Sequence, residues 1–397
     1  MIDSMGSSPD LALRLRALPA VVPLLDVLPH AWIVGGAVRD VLLGRDAAVD
    51  LDLVIEGDAV AAARRLCAAL DGALVVHDRF GTASVEAGSH VYDLATARAE
   101  TYAVPGALPD VRSGTLEEDL LRRDFTVNAV AVALDGRVAA APHAVEDLDA
   151  RVLRVLHERS FVDDPTRLLR LVRYATRLGF GVEAETAALA DAAVAGGALA
   201  TVTPARIGSE LRLLLREPAA LAALAWVAAW PLGVPLEVDA SLVGRALALL
   251  PQDGRTDLLL LGSACRAVES AALVSWLDSL GFPARERDTV VAVARADGIE
   301  GRLAGASRPS EIAAAVRGVP VEAVVLAGAL GAEGAARAWI SDLRGVRLAI
   351  DGADLLAAGV PQGEAVGRAL AVTLDALLDG AAPDRDAQLA VALAAVG

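Results

Sequence analysis

The chain contains no lysine. All 36 basic residues among its 397 are arginine. Lysine and arginine share most surface roles, so this is a compositional bias rather than a mechanism. It does mean that any phosphate or base edge is held through a rigid guanidinium fork. Aromatic residues are nearly as scarce, at 3% against 55% hydrophobic residues overall, so cores must be packed from Ala, Leu and Val. The two cysteines, Cys67 and Cys265, lie far apart in Ala/Leu-rich stretches. That spacing excludes a disulfide framework or zinc site and fits buried free thiols. No basic segment followed by an apolar run opens the sequence, so no signal peptide is expected. Apolar runs such as 258–261 are too short to span a bilayer. The expectation is a cytoplasmic protein with no membrane partner.

Net charge is −16, which argues against a general nucleic-acid coat protein and against DNA as a partner. The charge is uneven, however. Residues 122–177 carry ten Arg against eight Asp and Glu, a strip on which an otherwise acidic protein can bind RNA.

A chain of this length holds more than one core. Helical spacing is expected over 10–29 and 38–43, with a short apolar strand at 31–34 between them. Residues 49–55 alternate Asp with aliphatic side chains, the period-2 signature of a strand with one polar face. An amphipathic helix follows at 59–70, then strands at 73–77, 83–87 and 90–94. Residues 98–116 lose all pattern and carry Pro105, Gly106, Pro109 and Gly114, which predicts a mobile loop. From 145 onward the sequence reads as helical. The fold class is therefore α+β, a small mixed sheet followed by an all-α remainder.

Two motifs carry chemistry. Asp50 and Asp52 stand at i and i+2 of a strand and project to one side. Paired carboxylates repel unless a cation lies between them, and Mg²⁺ shared with substrate phosphates fits. In a motif that ends at Asp40, ten residues before Asp50, Gly35-Gly36 opens a helix whose first amides and positive dipole end favour an anion, with Arg39 one turn in. The bland alternatives, a solvated strand face and an ordinary strand-to-helix turn, become unattractive because the motifs occur together and in order. His77-Asp78 has no spaced His or Asp set after it, so a phosphohydrolase reading is rejected. His30, His90, His143 and His157 are scattered.

The stretch WIVGGAVRDVLLGRDAAVDLDLVIEG, residues 32–57, resembles the catalytic core of the class II CCA-adding tRNA nucleotidyltransferases and their poly(A) polymerase relatives, of the polymerase-β nucleotidyltransferase superfamily. Residues 79–102, 116–131 (LEEDLLRRDFTVNAVA), 163–180 (DDPTRLLRLVRYATRLGF) and 203–215 (TPARIGSELRLLL) resemble later motifs of that family. The resemblance implies a nucleotidyltransferase head over 1–138, a helical neck that recognises the nucleotide base over 139–217, a body over 218–300 and a tRNA-binding tail over 301–397. It implies catalytic metals on Asp50 and Asp52, with Asp93 a candidate third acidic group, and triphosphate contacts from Gly35, Gly36 and Arg39. It further implies that Arg123 faces the nucleotide and that Asp124 accepts from a ribose hydroxyl. Asp164 and Arg167 would read the Watson–Crick edge. A carboxylate there accepts from the exocyclic amine that C and A share and that U and G lack. Asp164, Arg167 and Arg170 would line one helix ridge, with Arg170 and Arg173 orienting the pair. Arg245, Arg255, Arg266, Arg337, Arg344 and Arg347 are candidate RNA-phosphate contacts.

The expected activity is template-independent addition of C, C and A to the tRNA 3′ end from CTP and ATP. The loop at 98–114 matches in position the flexible element of full CCA-adding enzymes, and that resemblance implies CCA or A addition over CC addition. Poly(A) addition, A-only or CC-only addition, a silent RNA-binding protein and a sugar-nucleotide glycosyltransferase are the alternatives. The last predicts no Asp/Arg base-reading helix.

Overall fold

The computed structural model describes residues 9–45, 50–77 and 81–396. Val49, Asp78, Arg79 and Phe80, which belong to segments named above, lie outside the described residues. The chain forms two compact units, one ending at Glu210 and the other beginning at Leu211.

The first unit is built on a mixed seven-stranded sheet. Its strands are β1 (Trp32–Val34), β2 (Asp50–Ile55), β3 (Ala73–His77), β4 (Thr82–Ala87), β5 (His90–Thr96), β8 (Val130–Ala133) and β9 (Val138–Ala140), in the order β3-β4-β5-β2-β1-β8-β9. β6 (Arg98–Thr101) and β7 (Asp110–Ser113) pair separately. On β2, β4 and β5 the inward residues Leu51, Leu53, Ala83, Val85, Tyr92 and Leu94 are all buried beneath the helix Ala59–Leu70. That helix buries Ala59, Ala62, Ala63 and Leu66, the i, i+3, i+4, i+7 stripe of an amphipathic helix. Asp58 caps its start by accepting from the Ala61 amide at 2.9 Å.

The other sheet face is covered only in part. Trp32, Val34 and Val54 pack with Leu116 and Leu120 of the short helix Leu116–Leu121. A Thr115–Glu118 capping box starts this helix. Burying two leucines there contributes on the order of 3–6 kcal/mol and fixes the pair that follows it, Arg122 and Arg123. Toward β3 the same face stays open, with Val75 half exposed.

Three expectations need correction. Residues 10–29 do not form one helix: Pro9–Arg16 and Leu24–Val27 are separated by turns around Pro19 and Pro23, where proline removes a helical donor. Residues 98–116 are not a patternless loop but the β6–β7 hairpin, running into the Leu116–Leu121 helix. The backbone ladder joins its strands, and ion pairs to Glu118 and Arg122 rather than an apolar face anchor it, so no hydrophobic alternation marked them. The helical remainder is interrupted by a two-residue parallel pair, Val152–Leu153 with Gly181–Val182.

The second unit is helical throughout its regular elements. Its core gathers on the Val321–Leu343 helix, where Ala323 to Ala327 are fully buried. That helix is long and apolar enough to cross a membrane, by length and composition alone, and half of its apolar window is buried in this unit.

Candidate functional site

Register brings the carboxylates together. Asp52 lies beside Val34 on one neighbouring strand and beside Asp93 on the other. Asp50, Asp52 and Asp93 therefore share the open face. Ser84, across from Asp93, donates to its carboxylate at 2.5 Å. The Asp52 side chain reaches water yet stands in a cleft. That partial burial pushes its acid up, with Asp93 and Asp50 adding repulsion and Arg123 opposing it. Among the described residues no three metal-ligating side chains converge into a closed site. An open set of strand carboxylates suits Mg²⁺, which keeps waters and takes the rest of its ligands from phosphates.

Gly35 stands directly against this group. Its φ is +69°, open to glycine at little cost, and a Cβ there would lie 3.1 Å from Asp52 Oδ2 and 3.5 Å from Arg123 Nη1. The helix Gly36–Leu42 begins at this turn. Arg39 is only 2% exposed. Its guanidinium donates to Asp40 at 2.9 Å and to Asn128 at 2.8 Å. It supports the turn from beneath and does not line the cavity, which corrects its expected place at a triphosphate.

Asn128, the chain's single asparagine, links this support to Asp124, donating to Oδ1 at 3.0 Å. The Phe125 amide donates to the same oxygen at 2.8 Å, and Arg170 donates to Oδ2 through Nε at 2.9 Å and Nη2 at 2.6 Å. A carboxylate accepts about four hydrogen bonds, so Asp124 has no capacity left for a ribose hydroxyl. These cations and donors outweigh burial and hold its acid down to about 2. Arg170 also reaches Glu210 at 3.2 Å, which Arg173 meets at 3.4 Å. The guanidiniums of Arg39, Arg170 and Arg173 all lie within 5.6 Å of the Tyr174 ring centre.

A second network ties the hairpin to the Arg pair. Asp119, fully buried, accepts from Arg122 at 2.7 Å and Arg123 at 3.0 Å. Glu100 on β6 accepts from Arg98 at 2.9 Å, from Arg122 at 3.0 Å and from the Tyr102 hydroxyl at 3.0 Å. Burial, with the Glu100 charge beside it, pushes the Tyr102 phenol up to about 12.

Asp164 is not on the ridge of the helix Thr166–Leu178 but two residues before it. Its Oδ1 accepts from the Thr166 amide at 3.1 Å, the Thr166 hydroxyl at 2.6 Å and Arg206 Nη2 at 2.8 Å. The other guanidinium nitrogen of Arg206 donates to the Gly106 carbonyl at the hairpin tip, at 2.8 Å. Arg167 donates to Ser160 Oγ and to the Arg122 carbonyl, both at 2.7 Å, and lies 3.4 Å from His157 Nε2. Burial and the Arg167 charge hold the His157 pKa below its ordinary value.

A cavity of about 410 Å³ joins these parts. Gly35, Gly36 and Asp52 line it at the sheet, Arg123 and Asp124 between, and Asp164, Arg167 and Arg170 at the helix. Five arginines and five carboxylates make up its charged wall, so its net charge is near zero. A polyphosphate entering it must bring cations along. Asp50, Asp93, Arg39 and Arg173 are not on this wall.

The poly(A) polymerase head domain matches residues 31–154. The chain is similar to tRNA nucleotidyltransferases and carries a region like the poly(A) polymerase head domain. It is 46% identical over 195 residues to the A-adding tRNA nucleotidyltransferase of Halalkalibacterium halodurans, covering 47% of this chain and 45% of that one. It is 33% identical to the A-adding tRNA nucleotidyltransferase of Geobacter sulfurreducens over 96% of this chain and 46% of that one. Other matched family members are named CC-adding tRNA nucleotidyltransferase and multifunctional CCA protein. Among solved structures, the Thermotoga maritima CCA-adding enzyme complexed with tRNA aligns over 99% of both chains at 27% identity and a TM-score of 0.73. The chain spans about half the length of the curated relatives it matches.

Sequence reasoning missed Arg206, Asn128, Asp119, Glu100 and Tyr102. Arg206 and Asn128 fall inside stretches that resemble family motifs, so their position was a usable signal. Asp119 and Glu100 fall inside such stretches too, Asp119 three and four residues before its partners Arg122 and Arg123, whereas Glu100 meets Arg122 only once the chain has folded. The six arginines suggested for RNA phosphates each have a partner in the chain. Arg255 holds Asp257 and Glu286, Arg266 holds Asp297, Arg337 holds Glu333 and Arg344 holds Asp253. Arg245 donates to Ser241 and the Ala329 carbonyl, and Arg347 to neighbouring carbonyls.

Proposed function

We propose that this chain adds C, C and A to the 3′ end of tRNA without a nucleic-acid template, in the cytoplasm, from CTP and ATP. The observation that carries this reading is the single cavity with a carboxylate-and-glycine device for phosphates at one end and an Asp/Arg pair for a base at the other. The RNA 3′-hydroxyl attacks the α-phosphorus, a new O–P bond forms, the bond to the β-phosphate bridge breaks, and pyrophosphate leaves. Gly35 and Gly36 present amides at a helix start to the phosphates. Arg123, beside Asp52, neutralises charge where the α-phosphate would lie. Asp50 and Asp52 would hold Mg²⁺, which supplies charge neutralisation and activation of the attacking hydroxyl when bound. Asp164 keeps one oxygen, Oδ2, free of hydrogen bonds in the described structure, enough to accept from the exocyclic amine of C or A. Arg167, pinned by Ser160 and the Arg122 carbonyl, aligns donors to the ring edge.

A second reading, A addition alone, is favoured by the names of relatives matched at 46% and 33% identity. One assay separates them. Purified protein, Mg²⁺, CTP and ATP are given tRNA transcripts ending one, two or three nucleotides short. CCA completion on all three is expected. Extension only of the transcript ending in CC selects the second reading. Long A tails make the protein a poly(A) polymerase, and no incorporation overturns nucleotidyl transfer altogether.

A further inference from the structure

Most of the donors of Arg167 are already assigned. A guanidinium carries five N–H groups and accepts nothing. Nη1 donates to Ser160 Oγ at 2.7 Å and meets His157 Nε2 at 3.4 Å. Nη2 donates to the Arg122 carbonyl at 2.7 Å. The Nε–H and one Nη2–H, on one edge of the fork, are left without a partner among the described residues. Arg167 lines the main cavity, so this edge is what it offers a base. The His157 contact has one chemical sense. Arg167 can only donate, so Nε2 accepts, and the ring is neutral with its proton on Nδ1.

We propose that His157 is a positioning residue for base selection: its neutral ring holds Arg167 in line, and a proton on Nε2 releases it. This deepens the function proposed above and rests on it. Protonation turns the acceptor into a donor and sets two cations 3.4 Å apart. Ser160 and the Arg122 carbonyl then hold the guanidinium against repulsion. Reading a base edge needs two aligned donors, and a misplacement of about 1 Å at such a site costs up to about a hundredfold. The ring is half buried in the turn before the short helix Ser160–Asp163, so protons from water reach it. Every element packed on it brings charge. Its own turn carries Glu158 and Arg159, and Asp163 on the short helix pairs with Arg159 at 2.9 Å. Arg154, Glu183 and Glu185 line a separate cavity of about 170 Å³ beside it, with Glu183 meeting Arg154 at 3.6 Å. Those charges are largely paired among themselves, which leaves Arg167 dominant. Burial and the Arg167 charge oppose protonation, so release comes on the acid side of about 6.5.

The test uses a tRNA transcript ending in CC and compares kcat/KM for ATP with that for GTP between pH 7.5 and pH 5. Ionisations in the chemical step act on both nucleotides and cancel in the ratio. In the parent the ratio should fall by about tenfold in acid, mainly through KM for ATP. His157→Gln places an amide oxygen near the position of Nε2 and does not titrate. It should keep the pH 7.5 ratio within about twofold and lose the pH dependence. His157→Leu offers no acceptor and should show a ratio about tenfold lower throughout. An unchanged ratio in His157→Leu overturns the assignment. So does a pH dependence that survives in His157→Gln, because it then belongs to another group such as Asp164. If neither variant folds by circular dichroism, the parent decides: its ratio must fall in step with a histidine resonance that titrates below about 6.5, and a flat ratio overturns the inference. No incorporation of any nucleotide by the parent would overturn the proposed function, whereas extension with a ratio indifferent to pH and to His157 overturns only this inference.

Discussion

Asp164 and Arg206 are 42 residues apart in sequence and 2.8 Å apart in space. Through its other nitrogen the same arginine holds the carbonyl of Gly106. One guanidinium thus fixes both the carboxylate proposed to read the base and the tip of the β6–β7 hairpin.

Arg206→Ala should free both at once. Asp164 keeps its Thr166 contacts, so the fold survives, with a loss of about 1–3 kcal/mol from the missing charged hydrogen bonds. The expected kinetic effect is at least a tenfold fall in kcat/KM for ATP and CTP, with rising misincorporation of UTP and GTP. Single-turnover assays with each nucleotide measure it. Unchanged discrimination would separate Arg206 from base selection.

Gly106 has φ +72°, and a Cβ there would sit 2.2 Å from Thr201 Oγ1 and 2.7 Å from the Thr201 carbonyl. Gly106→Ala should lift the hairpin tip without unfolding the sheet. Amide exchange should accelerate at residues 102–109, and incorporation should fall by roughly the same tenfold, reflecting about 1.4 kcal/mol in the barrier. Protected exchange with lost activity would point to damage elsewhere.

Asp124 is held down to about 2 in the folded chain, against roughly 3.9 in an unfolded one. Its folded value is the lower, so its contribution is fully present above about pH 4 and is lost as pH falls toward 2. The contribution is of order 2–3 kcal/mol. Asp124→Asn leaves Arg170 without its closest counter-charge and should cost about 3 kcal/mol or more at pH 7. Urea midpoints at pH 7 and pH 3 check both statements, the gap between parent and variant narrowing in acid.

Asp52 behaves in the opposite sense. Burial and its acidic neighbours raise it, so its ionised form destabilises the metal-free fold at neutral pH, and the strain is relieved as pH falls through the raised value. Asp52→Asn should abolish incorporation by at least about a thousandfold. Without metal, its melting temperature should equal or exceed that of the parent. Mg²⁺ should raise the melting temperature of the parent by several degrees and leave the variant nearly unmoved.

Much of this arrangement was legible in the sequence. Asp50 and Asp52 alternate with aliphatic residues, Ala59–Leu70 shows a clean helical stripe, and Gly35-Gly36 breaks the chain where a helix starts. Each of these signals is local. The hairpin was not legible because Glu100 makes its partnerships with Arg98, Arg122 and Tyr102, and ion pairs have no period. β8 was not, because Val130–Ala133 is buried on both faces and a four-residue apolar run fits a helix as well as a strand. The saturation of Asp124 depends on Arg170 and Asn128, which only folding delivers to it.

The balance of five guanidiniums and five carboxylates around the main cavity has a consequence for supply. A wall rich in unpaired cations would retain stray phosphate, pyrophosphate or RNA backbone whenever substrate was scarce. This one is electrically quiet until a nucleotide arrives with its own counter-ions. Occupancy should then follow the concentration of the Mg²⁺–nucleotide complex rather than that of nucleotide alone, and the site should empty, not clog, when magnesium runs low.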